Sequence, residues 1–273
     1  MRVLIDGVEV AAGDASLSVF DWGVLRGFGC FEVIRAYGGE TFRLGPHLDR
    51  MRRSAAALGL AEPPAELADW ASAVAADGGD CLVRIVMTAG SHDTLTDAPP
   101  RTIVVWEELP DLPDAFRLSA RVAPWHAGGT FSELTRAKTL SYAPNMAAGL
   151  AAMADGYDDA LLLGRDGSVL EGPTFTVAWF VDGVLETPSL DLGILESITR
   201  GVVLEVAADL GLSINEGAFP LARLLAADEA AVLSTVKEVS PLVAVDDAEV
   251  PRGPLTDKLR GAVLDRIAAE VGA

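Results

Sequence analysis

A mixed α/β chain of α+β order, folded as two domains, is what this sequence predicts. Three observations carry the prediction: β-rich runs cluster with two helices in the first part, helices and strands intermix in the second, and a Pro- and Asp-rich passage lies between. With 273 residues, half of them hydrophobic, the chain can bury one large core or two modest ones. Residues 108–114 are rich in Pro and Asp, and 124–130 adds Gly128-Gly129, so composition places a boundary between 108 and 130. We set it so that 1–117 form a small N-terminal domain and 118–273 a larger C-terminal one.

Two β-rich runs flank Asp6-Gly7 within residues 3–10, and another pair, 30–37 and 40–43, flanks Gly38-Gly39; both read as hairpins. Pro46 opens a helix toward Leu60, with Leu48, Met51, Ala55 and Leu58 at helical spacing and Gly59 weakening its end. A second helix is expected over 64–76. Strands over 81–88, 102–106 and 116–122 complete the first sheet. Beyond come a helix capped by Asn145 and ending near Ala154, strands over 160–163 and 174–180, a helix over 199–210, a strand over 230–234 and a terminal helix over 255–271.

A net charge of −19 repels phosphate backbones and anionic bilayers, so neither nucleic acid nor a membrane is an expected partner. No apolar run reaches the ~18 residues that a spanning helix needs. Cys30 and Cys81, among apolar neighbours, read as buried thiols in a reducing compartment, which makes the cytoplasm the expected location. His47, His92 and His126 have no ligand-like spacing, and no metal is expected. The glycines of 23–29 run into a strand-like Cys30–Arg35, whereas a dinucleotide loop follows a strand and opens a helix. There is no Walker lysine and no nucleophile elbow.

Lysine is scarce: only Lys138, Lys237 and Lys258 occur. Lys258 belongs to a solvated helix face. Lys237 follows a strand at a turn, where it is either exposed or rims a pocket. Lys138 lies in an extended stretch before a helix, a position that by itself reads as structural rather than functional.

Asp21-Trp-Gly23, Gly27-Phe-Gly29-Cys-Phe31-Glu32-Val33-Ile-Arg35, His47-Leu-Asp-Arg50, Lys138-Thr-Leu-Ser-Tyr142, Leu170-Glu171-Gly172, Leu195-Glu-Ser-Ile198-Thr199-Arg200 and Ser234-Thr235-Val-Lys-Glu238 occur in one order along nearly the whole chain. Together they resemble the fold-type IV pyridoxal-phosphate enzymes, the class IV aminotransferase family. That family includes D-amino-acid and branched-chain aminotransferases, (R)-selective amine transaminases and aminodeoxychorismate lyases. The resemblance implies a two-domain fold with pyridoxal 5'-phosphate between the domains, a homodimer, and a small amino donor and keto acid acceptor as partners.

It also implies roles. Lys138 would be the Schiff-base lysine that moves the substrate α-proton. Glu171 would keep the ring nitrogen protonated. Arg50, the backbone N–H groups of Ile198 and Thr199, and Thr235 would cup the phosphate, with Leu195 against the ring. Tyr142 resembles the tyrosine that bonds the phenolic oxygen, although its offset from Lys138 is one residue shorter than in branched-chain enzymes. Phe31, Val33, Arg26, Arg84, Val236 and Lys237 would face the substrate. Val33, where branched-chain enzymes have glycine, points to the D-amino-acid group. The Met87–His92 segment lacks the arginine expected before Gly90, so the carboxylate trap is altered. His92 or the unusual Arg26 and Arg84 would complete it, or Arg26 would turn outward to a surface acid. The expected reaction is amino transfer between a D-amino acid, with (R)-amines as further donors, and a 2-keto acid; aminodeoxychorismate lyase and branched-chain aminotransferase are the alternatives.

Overall fold

The computed structural model describes residues 2–92, 98–126 and 132–272; the Gly128-Gly129 pair expected in the linker lies outside them. The chain divides into two compact units: Met1–Pro110 with Ala137–Tyr142 and Ala269–Ala273, and Asp111–Arg136 with Ala143–Ala268.

In the first unit, β1 (Val3–Ile5) and β2 (Val8–Val10) pair as the expected hairpin, its turn made by Asp6 and Gly7 at φ 52° and 78°. Left-handed residues in both turn positions match the right-handed twist of the strands. A short helix follows, α1 (Trp22–Arg26), which hydrophobic periodicity does not reveal. Its caps make it: the Asp21 carboxylate accepts from Gly23 N–H at 2.7 Å, and Gly27 ends it at φ 62°. Strands β3 (Gly29–Tyr37) and β4 (Glu40–Thr41) form the second hairpin. Helix α2 (Leu44–Ala57) starts two residues before Pro46, because a proline in a first turn lacks only an N–H that has no helical partner there. Helix α3 (Leu67–Gly78) starts after the expected Pro64; Pro64 instead accepts from Leu67 N–H in the preceding turn.

Strands β5 (Cys81–Thr88) and β6 (Thr102–Glu107) complete an antiparallel sheet of order β2-β1-β6-β5-β3-β4. Alternation sends Cys30, Ile34, Val83, Ile85 and Met87 to one face, where they pack under Leu48, Met51 and Ala55 of α2 and Ala71 and Val74 of α3. The opposite face carries Phe31, Val33 and Arg84, with Val33 directly across from Arg84.

The second unit opens with β7 (Phe116–Val122), which the sequence reading placed in the first sheet. It belongs to the second: β7 pairs in parallel with β8 (Asp159–Leu163) after a crossover through α4 (Ser132–Arg136) and α5 (Ala143–Ala154). Parallel neighbours need such a crossover, and the buried Phe116 and Leu118 of β7 find their apolar partners in this unit's core. Asn145 sits inside α5 rather than capping it, and its side-chain oxygen accepts from Trp125 Nε1 at 2.8 Å.

Strands β9 (Thr176–Val181) and β10 (Val184–Pro188) lead to α6 (Ile198–Asp209). Then come β11 (Ile214–Gly217), α7 (Leu221–Leu225), β12 (Glu229–Ser234), β13 (Glu238–Val245), β14 (Ala248–Glu249) and α8 (Pro254–Val271). The sheet order is β11-β10-β9-β12-β13-β7-β8, with β14 beside β13. Trp179, Val177, Val232 and Leu242 lie in its core. Strand β13 was hidden in the sequence by Pro241, which removes a ladder donor; the register shifts between Leu242 and Ala244, just beyond it. No helix among the described residues is long and apolar enough to cross a membrane.

Candidate active site

In the first unit, residues 138–140 are laid along the edge of β3 beyond β4. Phe31 N–H donates to the Lys138 carbonyl at 3.0 Å, Leu140 N–H donates to the Gly29 carbonyl at 2.9 Å, and Cys30 bridges Thr139. Gly29 makes this approach possible, because a Cβ there would lie 2.7 Å from Leu140 Cδ1 and 2.4 Å from the Met87 carbonyl oxygen. Lys138 N–H donates to Ser54 Oγ on α2 at 2.9 Å. With its backbone held on two sides, Lys138 places Nζ 4.3 Å from the centre of the Phe31 ring and 3.4 Å from Tyr142 Oη. The Phe31 and Tyr142 rings meet edge to face at 5.1 Å.

Helix α2 turns His47, Arg50 and Ser54 the same way, at the i, i+3, i+7 spacing of one face. Arg50 Nε and Nη2 donate to the two oxygens of Glu32 at 2.7 and 2.6 Å, and His47 Nδ1 lies 2.8 Å from Glu32 Oε2. All three side chains are buried. Burial alone would raise the Glu32 pKa, but the charge and hydrogen bonds of Arg50, aided by His47, bring it down to about 2. Burial lowers that of His47, with the charges of Arg50 and Lys138 acting in the same direction against Glu32. The Cys30 thiol is pushed up to about 12 by burial and by the Glu32 charge. Arg84, facing Val33 across the strands, is bound through Nε and Nη2 to Glu107 at 2.5 and 2.8 Å. Arg26 stands apart: exposed at the end of α1, its guanidinium lies 5.7 Å from the centre of the Trp22 ring. His92 is also exposed and meets the same ring at 5.0 Å.

In the second unit, the Leu170-Glu171-Gly172 segment runs beside β8. Leu162 N–H donates to the Glu171 carbonyl at 2.8 Å, and Leu170 N–H donates to that of Leu162. Gly172 has no room for a side chain, because a Cβ would fall 2.1 Å from the Phe175 ring. The buried Glu171 carboxylate accepts from Leu195 N–H at 3.1 Å through Oε2, while Oε1 lies 3.2 Å from His126 Nε2. His126 had no signal in the sequence, since it is brought to Glu171 by tertiary pairing and by no local motif. Ile198 and Thr199 occupy the first two positions of α6, so their N–H groups are free of intrahelical partners. Ser197 is the cap, its hydroxyl accepting from Arg200 N–H at 3.2 Å. Thr235 and Val236 lie in the half-buried turn between β12 and β13. Lys237, in the same turn, lies 4.9 and 5.5 Å from the centres of the Phe175 and Phe116 rings, and burial lowers its pKa against the charge of Asp159.

Residues 29–245 match the family described as Amino-transferase class IV. The D-alanine aminotransferase of Listeria monocytogenes is 31% identical over 291 residues, covering 100% of this chain and 98% of the relative. The aminodeoxychorismate lyase of Bacillus subtilis is 31% identical over 262 residues, covering 90% and 87%. The crystal structure of a branched-chain aminotransferase from Thermoproteus uzoniensis with norvaline superposes with a TM-score of 0.89 at 31% identity, covering 99% of this chain and 95% of that one. The chain therefore belongs to the class IV aminotransferases. It is a pyridoxal-phosphate-dependent transaminase of the fold-type IV architecture.

Proposed function

We propose that this enzyme moves an amino group between a D-amino acid and a 2-keto acid and also accepts (R)-amines as donors. The observation that carries this reading is Val33, whose branched side chain lies two residues along β3 from Phe31, on the face where Phe31 meets Lys138 Nζ. A valine there takes up space that a branched L-side chain would need. The 31% identity to a D-alanine aminotransferase along the whole chain supports the same reading.

The groups present suit pyridoxal phosphate. A buried carboxylate held by a backbone N–H and a histidine suits a cationic ring nitrogen, and the open N–H groups at the start of α6 suit a phosphate. The cofactor, when bound, supplies an aldehyde and an electron-withdrawing ring that acidifies the substrate Cα–H. Lys138 Nζ would hold the cofactor through its aldehyde and, once displaced by the amino donor, would be the base and acid that moves a proton between the substrate α-carbon and the cofactor. Tyr142 Oη, 3.4 Å from that amine, orients it. Glu171 holds the ring-nitrogen proton, and Leu195 packs on the ring. Arg50, Ile198 and Thr199 N–H and Thr235 bind the phosphate. The substrate carboxylate is taken by Arg26. Exposed Val19, Phe20, Val24 and Leu25 in the first unit are consistent with a homodimer.

A donor screen with pyruvate and 2-oxoglutarate as acceptors tests the reading: D-alanine is expected to react well ahead of L-alanine and L-leucine, with measurable turnover of (R)-1-phenylethylamine. Preference for L-leucine overturns it in favour of a branched-chain enzyme, and pyruvate release from aminodeoxychorismate in favour of a lyase. Arg26→Ala is expected to raise KM for D-amino acids by about 1.5–3 kcal/mol and to leave (R)-amines, which have no carboxylate, unchanged; equal losses for both refute the role of Arg26.

A further inference from the structure

We propose that His126 is a positioning residue for Glu171, its Nε2–H donating to one carboxylate oxygen and so fixing the direction and the basicity of the carboxylate that meets the cofactor ring nitrogen. This rests on the reading of Glu171 as the ring-nitrogen partner.

Geometry comes first. His126 Nε2 lies 3.2 Å from Glu171 Oε1, while Leu195 N–H takes Oε2 at 3.1 Å, so each oxygen has one fixed donor and a further lone pair for the ring. Both side chains are nine-tenths buried, at 7% exposure for His126 and 10% for Glu171. The two residues are hung from neighbouring points of β8. Ala123 N–H donates to the Leu163 carbonyl and His126 N–H to the Ala123 carbonyl, while Leu162 N–H donates to the Glu171 carbonyl. Backbone register therefore sets the histidine against the carboxylate.

The tautomer follows from the partners. An unprotonated Nε2 would point a lone pair at the carboxylate oxygen, so Nε2 carries a proton. Nδ1 is buried with no hydrogen-bond partner among the described residues, so Nε2 is the ring nitrogen that is engaged. His126 gives Glu171 a hydrogen bond through Nε2 and leaves a lone pair of the carboxylate for the ring nitrogen of the cofactor. Without that donor the carboxylate becomes more basic and draws the shared proton from the ring nitrogen onto itself.

The asparagine and glutamine variants separate this role from a packing role, because a glutamine amide nitrogen reaches the position of Nε2 and an asparagine amide nitrogen only that of Nδ1. In holoenzyme reconstituted with ¹⁵N-labelled pyridoxal phosphate, His126→Asn is expected to move the ring-nitrogen NMR shift toward the unprotonated value. It should also weaken equilibrium cofactor binding about tenfold or more, the worth of a hydrogen bond to a charged group. His126→Gln is expected to stay close to the parent in both. Parent-like shift and affinity in His126→Asn, or equal losses in the two variants, overturn the proposal. Glu171→Gln is the reference: if it moves the shift while His126→Asn does not, only the role of His126 fails; if it leaves the shift unchanged, the reading of Glu171 falls as well.

Discussion

Each unit buries one carboxylate beside a histidine, and the two are treated in opposite ways. Glu32 is clamped by a guanidinium through both oxygens, and its pKa falls to about 2. Glu171 has no Arg or Lys partner within its own unit among the described residues; a backbone N–H and an imidazole hold it. A carboxylate neutralised by a permanent cation has become part of the scaffold, because any further cation would compete with one already in place. A carboxylate without an arginine or lysine clamp has room for a cation that arrives later. The difference separates anchor from instrument more surely than burial does, since both are almost fully enclosed.

The largest expected effect tests the anchor. Glu32→Ala leaves Arg50 and His47 buried without their anion and is expected to cost about 3–5 kcal/mol of stability, read as a lower denaturant midpoint; a loss under about 1 kcal/mol would break the comparison. Next comes Glu171→Gln, which keeps shape and removes charge. It is expected to leave the midpoint nearly unchanged and to slow the half-reaction with D-alanine by about 10²–10³-fold, the usual cost of removing one preorganised electrostatic partner. A stability loss as large as that of Glu32→Ala would make Glu171 a second anchor.

Acid sharpens the contrast. The folded Glu32 titrates at about 2, below the ordinary value of 4.5, so its contribution is complete above 4.5 and is lost as pH falls toward 2. His47, lowered from 6.5, has the same sign: the unfolded chain takes up its proton first, and stability falls as pH drops below 6.5. Melting temperatures of Glu32→Gln should accordingly decline less than those of the parent between pH 4.5 and 2; parallel curves would contradict the clamp. The smallest effect is that of Ser54→Ala, which removes the acceptor of the Lys138 N–H and is expected to cost about 1 kcal/mol, checked by the same denaturant titration.

Much of the first unit was legible because hairpin turns, β-rich runs and helix periodicity agree there: strand Cys81–Thr88 has the bounds that its β-rich run predicts. The second unit was harder to read. Pro241 masked β13, and β7 looked like one more strand of the first sheet because alternation reveals that a strand exists but not which sheet receives it. Short α1 is fixed by its caps rather than by periodicity. At the site, the motifs pointed to Lys138, Glu171 and Arg50. The Arg50–Glu32 clamp and the His126 contact depend on distances across the fold that no local pattern encodes.

The strip of chain from Ala137 to Tyr142 belongs to the first unit although Asp111–Arg136 of the second precedes it. On the ribosome, the first 110 residues emerge with the edge of β3 at Gly29–Phe31 still lacking Lys138 and Leu140 as its partners. The edge of β3 therefore cannot close until Tyr142 has cleared the exit tunnel, and a gene cut between codons 110 and 111 would sever a sheet from its own edge. Translation thus delivers Lys138 only after the strand edge that receives it, and Ala269–Ala273 of the same unit later still.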